Sequence, residues 1–481
     1  MPQRKPLLIQ TILAVAACKA TRGALRLARR GGTALPGKAA MLFARNVLET
    51  TSAGMEIVVV TGTNGKTTTS RMIENAFVRS GRKCLANKSG ANLLSGVTAE
   101  ITANATWLGK PKTRYAVIEC DEGALKQVVP LIRPKVIVVT NLFRDQLDRY
   151  GEVMHTLDAI RTGIRLTPES VLCLNADCSL TASLAQDVPN PVTYYGLDVA
   201  TGDQSERTVS DARHCIRCGA VYRYHYHTYA HLGGFYCPDC GYCRPEPEVA
   251  VTQIVRMSPQ GSTVRMALTE SAGQMAAREE TGADTKPAVR EIESVIGLPA
   301  VYNIYNAAAS MAACRVFGLA EGDILGALRE VHSCFGRMET FDLNGVAVQM
   351  ILVKNPAGCN QALAYLAELE EPFTAVFCLN DRTADGHDIS WIWDADYEQI
   401  CEKDGLARIY VAGDRAEDMQ LRLKYAGAQQ EQICMEKDYS KLVARMRESS
   451  TPVFILPNYT SMLALRQVLG EACGKKEFWR G

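Results

Sequence analysis

The run Thr61-Gly62-Thr63-Asn64-Gly65-Lys66-Thr67-Thr68 combines the residue types that hold a nucleoside triphosphate. It stands between a β-branched run, Glu56–Thr61, and a helical stretch from Lys66 to Arg79. Gly62 and Gly65 let the backbone wrap closely around phosphate, and the amides that open the helix point at the anion. Lys66 reaches the β- and γ-phosphates, and the Thr67 hydroxyl can ligate Mg²⁺. In the usual phosphate loop the first glycine lies five residues before the second. Here Val60 holds that position and Gly62 takes over the turn.

A second cluster can hold a metal. Cys215-Ile216-Arg217-Cys218 and Cys237-Pro238-Asp239-Cys240 are two C-x-x-C knuckles with the separation of a four-cysteine zinc ribbon. Gly219 and Gly241 permit the turn that aims amides at the thiolates. Cys243 and His214 stand nearby and are left out of the ligand set. Four protein thiolates close the coordination sphere, so Zn²⁺ here is structural and not catalytic. A redox pair is the rival reading, but no thioredoxin-like context surrounds these cysteines. A third group is Asp385-Gly386-His387-Asp388, just before Ser390-Trp391-Ile392-Trp393. Two of the chain's four tryptophans in one polar segment suggest an interface anchor. The two aspartates either serve that interface or cap a helix.

The elements that must position these groups have an α/β rhythm. Glu56–Thr61, Tyr115–Glu119 and Val136–Thr140 read as buried strands separated by helical stretches, which implies a parallel sheet covered on both faces. From about 205 to 247 the composition turns to Cys, His, Tyr and Gly, marking an insert. Residues 270–290 read as an exposed polar loop. After Phe341 the rhythm restarts, with strands expected at Ala375–Leu379, Ile409–Ala412 and Val453–Leu456. The expected domains are a basic helical segment over 1–48, an ATP-binding domain over 49–340 with the ribbon inserted, and a C-terminal α/β, Rossmann-like domain over 341–481.

Composition narrows the class. The chain has 481 residues, enough for about three domains. A formal charge of +1 argues against a protein that coats nucleic acid. The 17 cysteines are odd in number and mostly scattered through apolar stretches, which suits a reducing cytoplasm better than a disulfide scaffold. Residues 1–30 hold Arg4, Lys5, Lys19, Arg22, Arg26, Arg29 and Arg30 and no acid. The apolar run Pro6–Cys18 is shorter than the ~20 residues that cross a bilayer. A basic amphipathic helix is expected, either solvated on its charged face or resting on anionic lipid.

The loop TGTNGKTT resembles that of the Mur ligase family and its folylpolyglutamate synthetase relatives, which join a carboxylate to an amine through an acyl phosphate. Ile118-Glu119-Cys120-Asp121-Glu122 is similar to the family's acidic motif, which implies that Glu119 ligates Mg²⁺. Asn141 to Tyr150 resembles its N-x-x-x-D-H-x-D-R-Y segment, with Gln146 where the family has a metal-binding His. Tyr302-Asn303-Ile304-Tyr305-Asn306 and Phe335-Gly336-Arg337-Met338-Glu339 resemble its nucleotide-proximal motifs, which implies contacts from Asn303, Asn306 and Arg337. Leu352-Val353-Lys354-Asn355-Pro356 departs from the family's acidic C-terminal motif, so amino-acid contacts are not carried over.

The ribbon and the segment Asn380–Asp394 narrow the resemblance to the MurT branch, the synthetase subunits of lipid II isoglutaminyl synthase. That resemblance implies ATP-dependent amidation of the D-glutamate α-carboxylate of lipid II at the inner face of the membrane. It also implies ammonia from a GatD-type glutaminase subunit, and an aspartate, Asp388 or Asp385, that completes the partner's Cys–His pair. An amino-acid-adding ligase and a non-catalytic ATP-gated scaffold are the competing readings.

Overall fold

The computed structural model describes residues 6–28, 34–87, 91–144, 153–201, 211–258, 260–270, 288–331 and 337–474. They fall into two compact units. One holds the described residues up to 142, 154–201 and 211–331, and the other holds 143–144, 153 and 337–474.

The first unit opens with three helices, α1 (Leu8–Leu27), α2 (Leu35–Phe43) and α3 (Val47–Thr51). Strand β1 (Glu56–Thr61) then leads into α4 (Lys66–Arg79), followed by β2 (Cys84–Ala86), α5 (Leu94–Asn104), β3 (Tyr115–Glu119), α6 (Leu125–Ile132) and β4 (Val136–Val139). Next come α7 (Val153–Arg165), β5 (Val171–Asn175) and β6 (Val192–Leu197). The hairpin β7 (Arg223–Tyr229) and β8 (Leu232–Tyr236) precedes β9 (Val249–Ser258), β10 (Gly261–Thr269), β11 (Val289–Ile296), α8 (Val301–Val316) and α9 (Glu321–Glu330). The nine-stranded sheet runs β11-β10-β9-β6-β5-β4-β1-β3-β2. It is parallel from β9 to β2 and antiparallel across β9, β10 and β11. Strand β1 sits inside it with Ile57, Val58, Val59 and Val60 all fully buried, as a β-branched run covered on both faces must be. Helix α4 packs its Met72, Ile73, Ala76 and Phe77 stripe into the core.

The insert lies between β6 and β9, which pair parallel through Tyr195↔Val249. The loop expected over 270–290 connects β10 to β11, with 271–287 outside the described residues. The basic segment forms a helix, α1, as expected. It buries Thr11, Ala14, Val15 and Cys18, and its cations do not form one solvated face. Lys19 donates to the Ala105 carbonyl at 2.7 Å and lies over the Trp107 ring, while Arg22 pairs with Glu100 on α5. By length and composition α1 is also apolar enough to cross a bilayer, although its inner side packs on α2 and α5.

The second unit has a six-stranded sheet ordered β12-β13-β17-β14-β15-β16. Its strands are β12 (Arg337–Leu343), β13 (Val346–Ile351), β14 (Phe373–Cys378), β15 (Leu406–Ala412), β16 (Ile433–Met435) and β17 (Val453–Pro457). Helices α10 (Pro356–Ala367), α11 (Ala416–Tyr425), α12 (Tyr439–Arg447) and α13 (Tyr459–Ala472) accompany them. All pairings except the β12–β13 hairpin are parallel. The loops after β14, β15 and β17 meet at the carboxyl ends of the strands, where open α/β sheets bind ligands. Asn380 and Asn458 cross-link them: the Asn458 amide donates to the Asn380 carbonyl at 2.6 Å, and the Asn380 side-chain oxygen accepts from the Asp414 amide.

Candidate active site

The phosphate-type loop joins β1 to α4 as the sequence requires. Gly62 has φ +118°, and a Cβ there would stand 2.4 Å from the Thr140 hydroxyl. Gly65 opens α4 at φ +86°, with Asn306 Oδ1 2.1 Å from where a Cβ would be. Both positions therefore exclude a side chain on conformation and on space. The loop is held from below: the Thr63 amide donates to the Asn141 carbonyl, the Asn64 amide to Asn141 Oδ1, and the Thr140 hydroxyl to the Asn64 carbonyl.

Lys66 is buried and donates to the Gly62 carbonyl at 2.6 Å and to Glu122 Oε1 at 2.7 Å. Burial alone would lower its pKa, but the charge and hydrogen bond of Glu122, with help from Glu119 and Asp121, hold it above the ordinary value. The ammonium is thus charged across the working pH range. The Thr67 hydroxyl donates to Glu119 Oε2 at 2.8 Å. Two hard oxygens side by side at a helix N-terminus fit the needs of Mg²⁺. Glu119 is itself fixed by Asn87, which accepts from its backbone amide and donates to its carbonyl, each at 2.8 Å. Thr68, half-buried, follows in the first turn of α4.

Asn303 and Asn306 lie buried on α8. The Asn303 amide donates to the Pro299 carbonyl at 2.6 Å, the Asn306 amide to Asn303 Oδ1, and Thr69 to Asn306 Oδ1. Asn306 therefore also braces α4 just behind the loop. Arg337 begins β12, but its side chain, like Gln146 and the stretch Asp145–Tyr150, lies outside the described residues.

The four cysteines come together. Cys215, Cys218, Cys237 and Cys240 place their sulfurs within 4.8 Å of one another, with Cys215–Cys240 at 3.6 Å and Cys218–Cys237 at 3.4 Å. A tetrahedron of Zn–S bonds of about 2.3 Å has edges of about 3.8 Å, so the donor set fits Zn²⁺. Burial opposes ionisation of Cys215, but the amides of Cys218 and Arg217 outweigh it and bring the thiol down to about 6. Behind the knuckles, Arg244 donates to Asp177 Oδ1 at 2.6 Å, and Tyr305 of α8 donates to Asp177 Oδ2. Thr228 of β7 shares a 2.7 Å hydrogen bond with Tyr305. The insert is thereby tied to the helix that carries Asn303 and Asn306.

In the second unit Asp385 and Asp388 both hold local structure. Asp385 accepts from the Thr460 amide at 2.8 Å and from the Thr460 hydroxyl, anchoring the start of α13. Desolvation raises its pKa despite those bonds. Asp388 accepts from the Ser390 amide at 2.8 Å, just before the short 3₁₀ turn Ser390–Asp394. Its hydrogen bonds to Ser390 lower its pKa, so it is ionised. Trp393 is exposed beside exposed Tyr425, their rings edge to face at 5.5 Å. Lys354-Asn355-Pro356, which departs from the ligase motif, starts α10: the Asn355 side chain accepts from the Gly358 amide.

Sequence reading missed two supports of the loop. Glu122 stood in the quoted acidic motif without a role, and its pairing to Lys66 depends on how the turn after β3 folds. Asn87 gave no signal, since a lone Asn after a short strand has no spacing partner.

Two family models match: the Mur ligase middle domain over residues 60–223 and the MurT ligase C-terminal domain over residues 352–462. The lipid II isoglutaminyl synthase (glutamine-hydrolyzing) subunit MurT of Streptococcus pneumoniae is 33% identical over 96% of this chain and 97% of its own length. That of Staphylococcus aureus is 32% identical over 95% and 98%. Among solved structures, a pseudomurein peptide ligase type C from Methanothermus fervidus aligns with TM-score 0.65 at 18% identity, covering 87% of this chain and 79% of its own. MurF from Acinetobacter baumannii aligns with TM-score 0.62 at 15% identity, covering 91% and 80%. These neighbours establish the Mur ligase fold. Similarity along nearly its whole length places the chain in the MurT family of Mur ligase-type enzyme subunits.

Proposed function

We propose that the chain is the synthetase subunit of a lipid II isoglutaminyl synthase, converting the D-glutamate α-carboxylate of the stem peptide to the amide of D-isoglutamine. A carboxylate resists ammonia at neutral pH because its oxygen is a poor leaving group. Attack of that oxygen on the ATP γ-phosphorus breaks the bond to the bridging oxygen, ADP leaves with the electron pair, and an acyl phosphate remains. Ammonia then attacks the carbonyl carbon, the carbon–oxygen bond breaks, and phosphate departs with the electron pair. Lys66 stabilises charge on the transferring group, and the amides from Gly65 to Thr68 that open α4 hold the phosphates, while those of Thr63 and Asn64 are taken up by Asn141. Thr67 and Glu119 are the residues that would hold Mg²⁺, which when bound neutralises phosphate charge. Asn303, Asn306 and Arg337 are assigned to the nucleotide, and Cys215, Cys218, Cys237 and Cys240 to a structural Zn²⁺.

Ammonia is scarce at neutral pH because ammonium dominates, so a GatD-type glutaminase supplies it. The relatives' name, a glutamine-hydrolyzing synthase subunit, supports that partner. Exposed Trp393 and Tyr425, the first close in sequence to the Asp385–Asp388 loop and the second at the end of α11, offer it a docking point. Asp388, ionised and only partly buried, suits the partner's histidine better than Asp385, which anchors α13. The reaction belongs in the cytoplasm, at the inner membrane face where lipid II is made.

The observation that carries the reading is the Lys66–Glu122 and Thr67–Glu119 arrangement in a chain that aligns end to end with MurT subunits. The test is amidation of lipid II by the purified complex with ATP, followed by product mass. The expected product differs from substrate by exchange of hydroxyl for amino group, whereas gain of an amino acid would sink the proposal. Lys66→Ala should abolish amidation with either glutamine or ammonium, because it acts before nitrogen enters. Ammonium-driven activity in that variant would overturn the assignment.

A further inference from the structure

The N-terminal helices leave large apolar groups uncovered. Ile9, Leu13 and Leu27 are 68%, 48% and 89% exposed on α1. At 3.6 residues per turn they fall in one stripe about 40° wide, with Ala16 and Ala20 between them, opposite the side buried against α2 and α5. Leu42 and Phe43 of α2 are exposed at 85% and 48%, and Trp107 at 61%. Trp107 is held against α1 through Lys19. A soluble monomer gains nothing from exposing large apolar side chains in such number near one end of the chain.

Charge says what the use is. Lys38 and Arg45 join the seven cations of residues 1–30, so the first 48 residues carry nine and no carboxylate, while the whole chain is only +1. Along one flank of the stripe Lys19, Arg22 and Arg26, with Glu100 and Asn104 of α5, line a groove of about 390 Å³. Glu100 offsets only one of the three cations.

We propose that α1, α2 and the Trp107 turn form a docking face for an anionic phospholipid bilayer. Helix α1 lies along the interface, its Ile9–Leu13–Leu27 stripe in the acyl boundary and the Lys19–Arg22–Arg26 groove at headgroup phosphates. Trp107 sits at the level where indole rings anchor. A second copy of this chain fits less well, because a two-fold contact sets the same cation-rich patch against itself. The inference goes beyond the amidation reading, to which it gives a substrate at the same surface, and it stands or falls separately.

The test is co-sedimentation of the full-length chain with vesicles of phosphatidylglycerol and phosphatidylcholine, and with phosphatidylcholine alone. Wild type should pellet with the mixed vesicles and bind pure phosphatidylcholine on the order of tenfold more weakly or worse. The double variant Leu13→Glu and Leu27→Glu, on exposed positions that spare the fold, should lose binding on the order of tenfold or more. Arg26→Glu should weaken binding to the mixed vesicles while leaving the pure ones unchanged. Unchanged ATP binding and thermal unfolding confirm that the variants are folded. Wild type that stays in the supernatant, or a double variant that pellets equally well, overturns the proposal. So does a soluble wild-type multimer that the double variant dissociates, since that assigns the face to protein. Amidation of a water-soluble stem peptide is indifferent to every one of these outcomes.

Discussion

Lys66 and Glu122 form a pair whose side chains are 9% and 7% exposed, so neither charge has water to fall back on. Glu122→Ala should cost on the order of 3–5 kcal/mol in urea unfolding, because it takes the contacting carboxylate from a buried ammonium. Replacing both partners by methionine should recover most of that loss, and a double variant as unstable as the single one would refute the pairing argument. Asp385 and Asp388 separate in the same way. Asp388→Asn should lower glutamine-dependent amidation of the complex more than tenfold, below the ~10⁴-fold seen for serine triads because a cysteine nucleophile is intrinsically more reactive. High ammonium should rescue it. Equal loss in both assays would move Asp388 into the synthetase site. Since its folded pKa is depressed, the Asp388–Ser390 contact stabilises above the ordinary carboxylate pKa and is lost as pH falls through the lowered value. Glutaminase activity at neutral pH should therefore show no titration of this group.

At the scale of elements, the start of α13 depends on a carboxylate from the loop after β14. Asp385→Ala should cost about 1–2 kcal/mol, the usual worth of a capping group, and should depress the glutamine and ammonium assays alike. The proposed ribbon should depend on Zn²⁺ in the same local way. Cys240→Ser should lower zinc content and the thermal midpoint, with ATP affinity retained in the folded fraction. Wild-type protein without near-stoichiometric zinc would refute the ribbon reading. The boundaries of β1, α4 and β3 were legible to the residue, because a β-branched run, a glycine turn and an amphipathic stripe punctuate them sharply. Strand β15 begins at Leu406, three residues before the expected Ile409, since Ala407 and Arg408 face outward and weaken the apolar run.

For the molecule as a whole, the proposed division of labour predicts that the chain alone, given lipid II, ATP and high ammonium, makes the amide without a glutaminase. Glutamine should support the reaction only when the partner is added, and activity with glutamine alone would show that the chain carries its own glutaminase. Sequence by itself determined the chemistry-bearing groups, because a phosphate loop and paired cysteine knuckles are written in contiguous residues whose spacing is the signal. Tertiary structure decided what those groups touch. Glu122 reaches Lys66, and Asn306 reaches Gly65 across more than two hundred residues, through turns that no local pattern records. It also set which side of α1 is exposed. Spacing alone placed its cations outward, but burial of Ala14, Val15 and Cys18 against α2 and α5 turns Lys19 and Arg22 to the side and leaves the leucines facing out. Which side of a helix meets solvent is set by the partner it packs on, and that partner lies elsewhere in the chain.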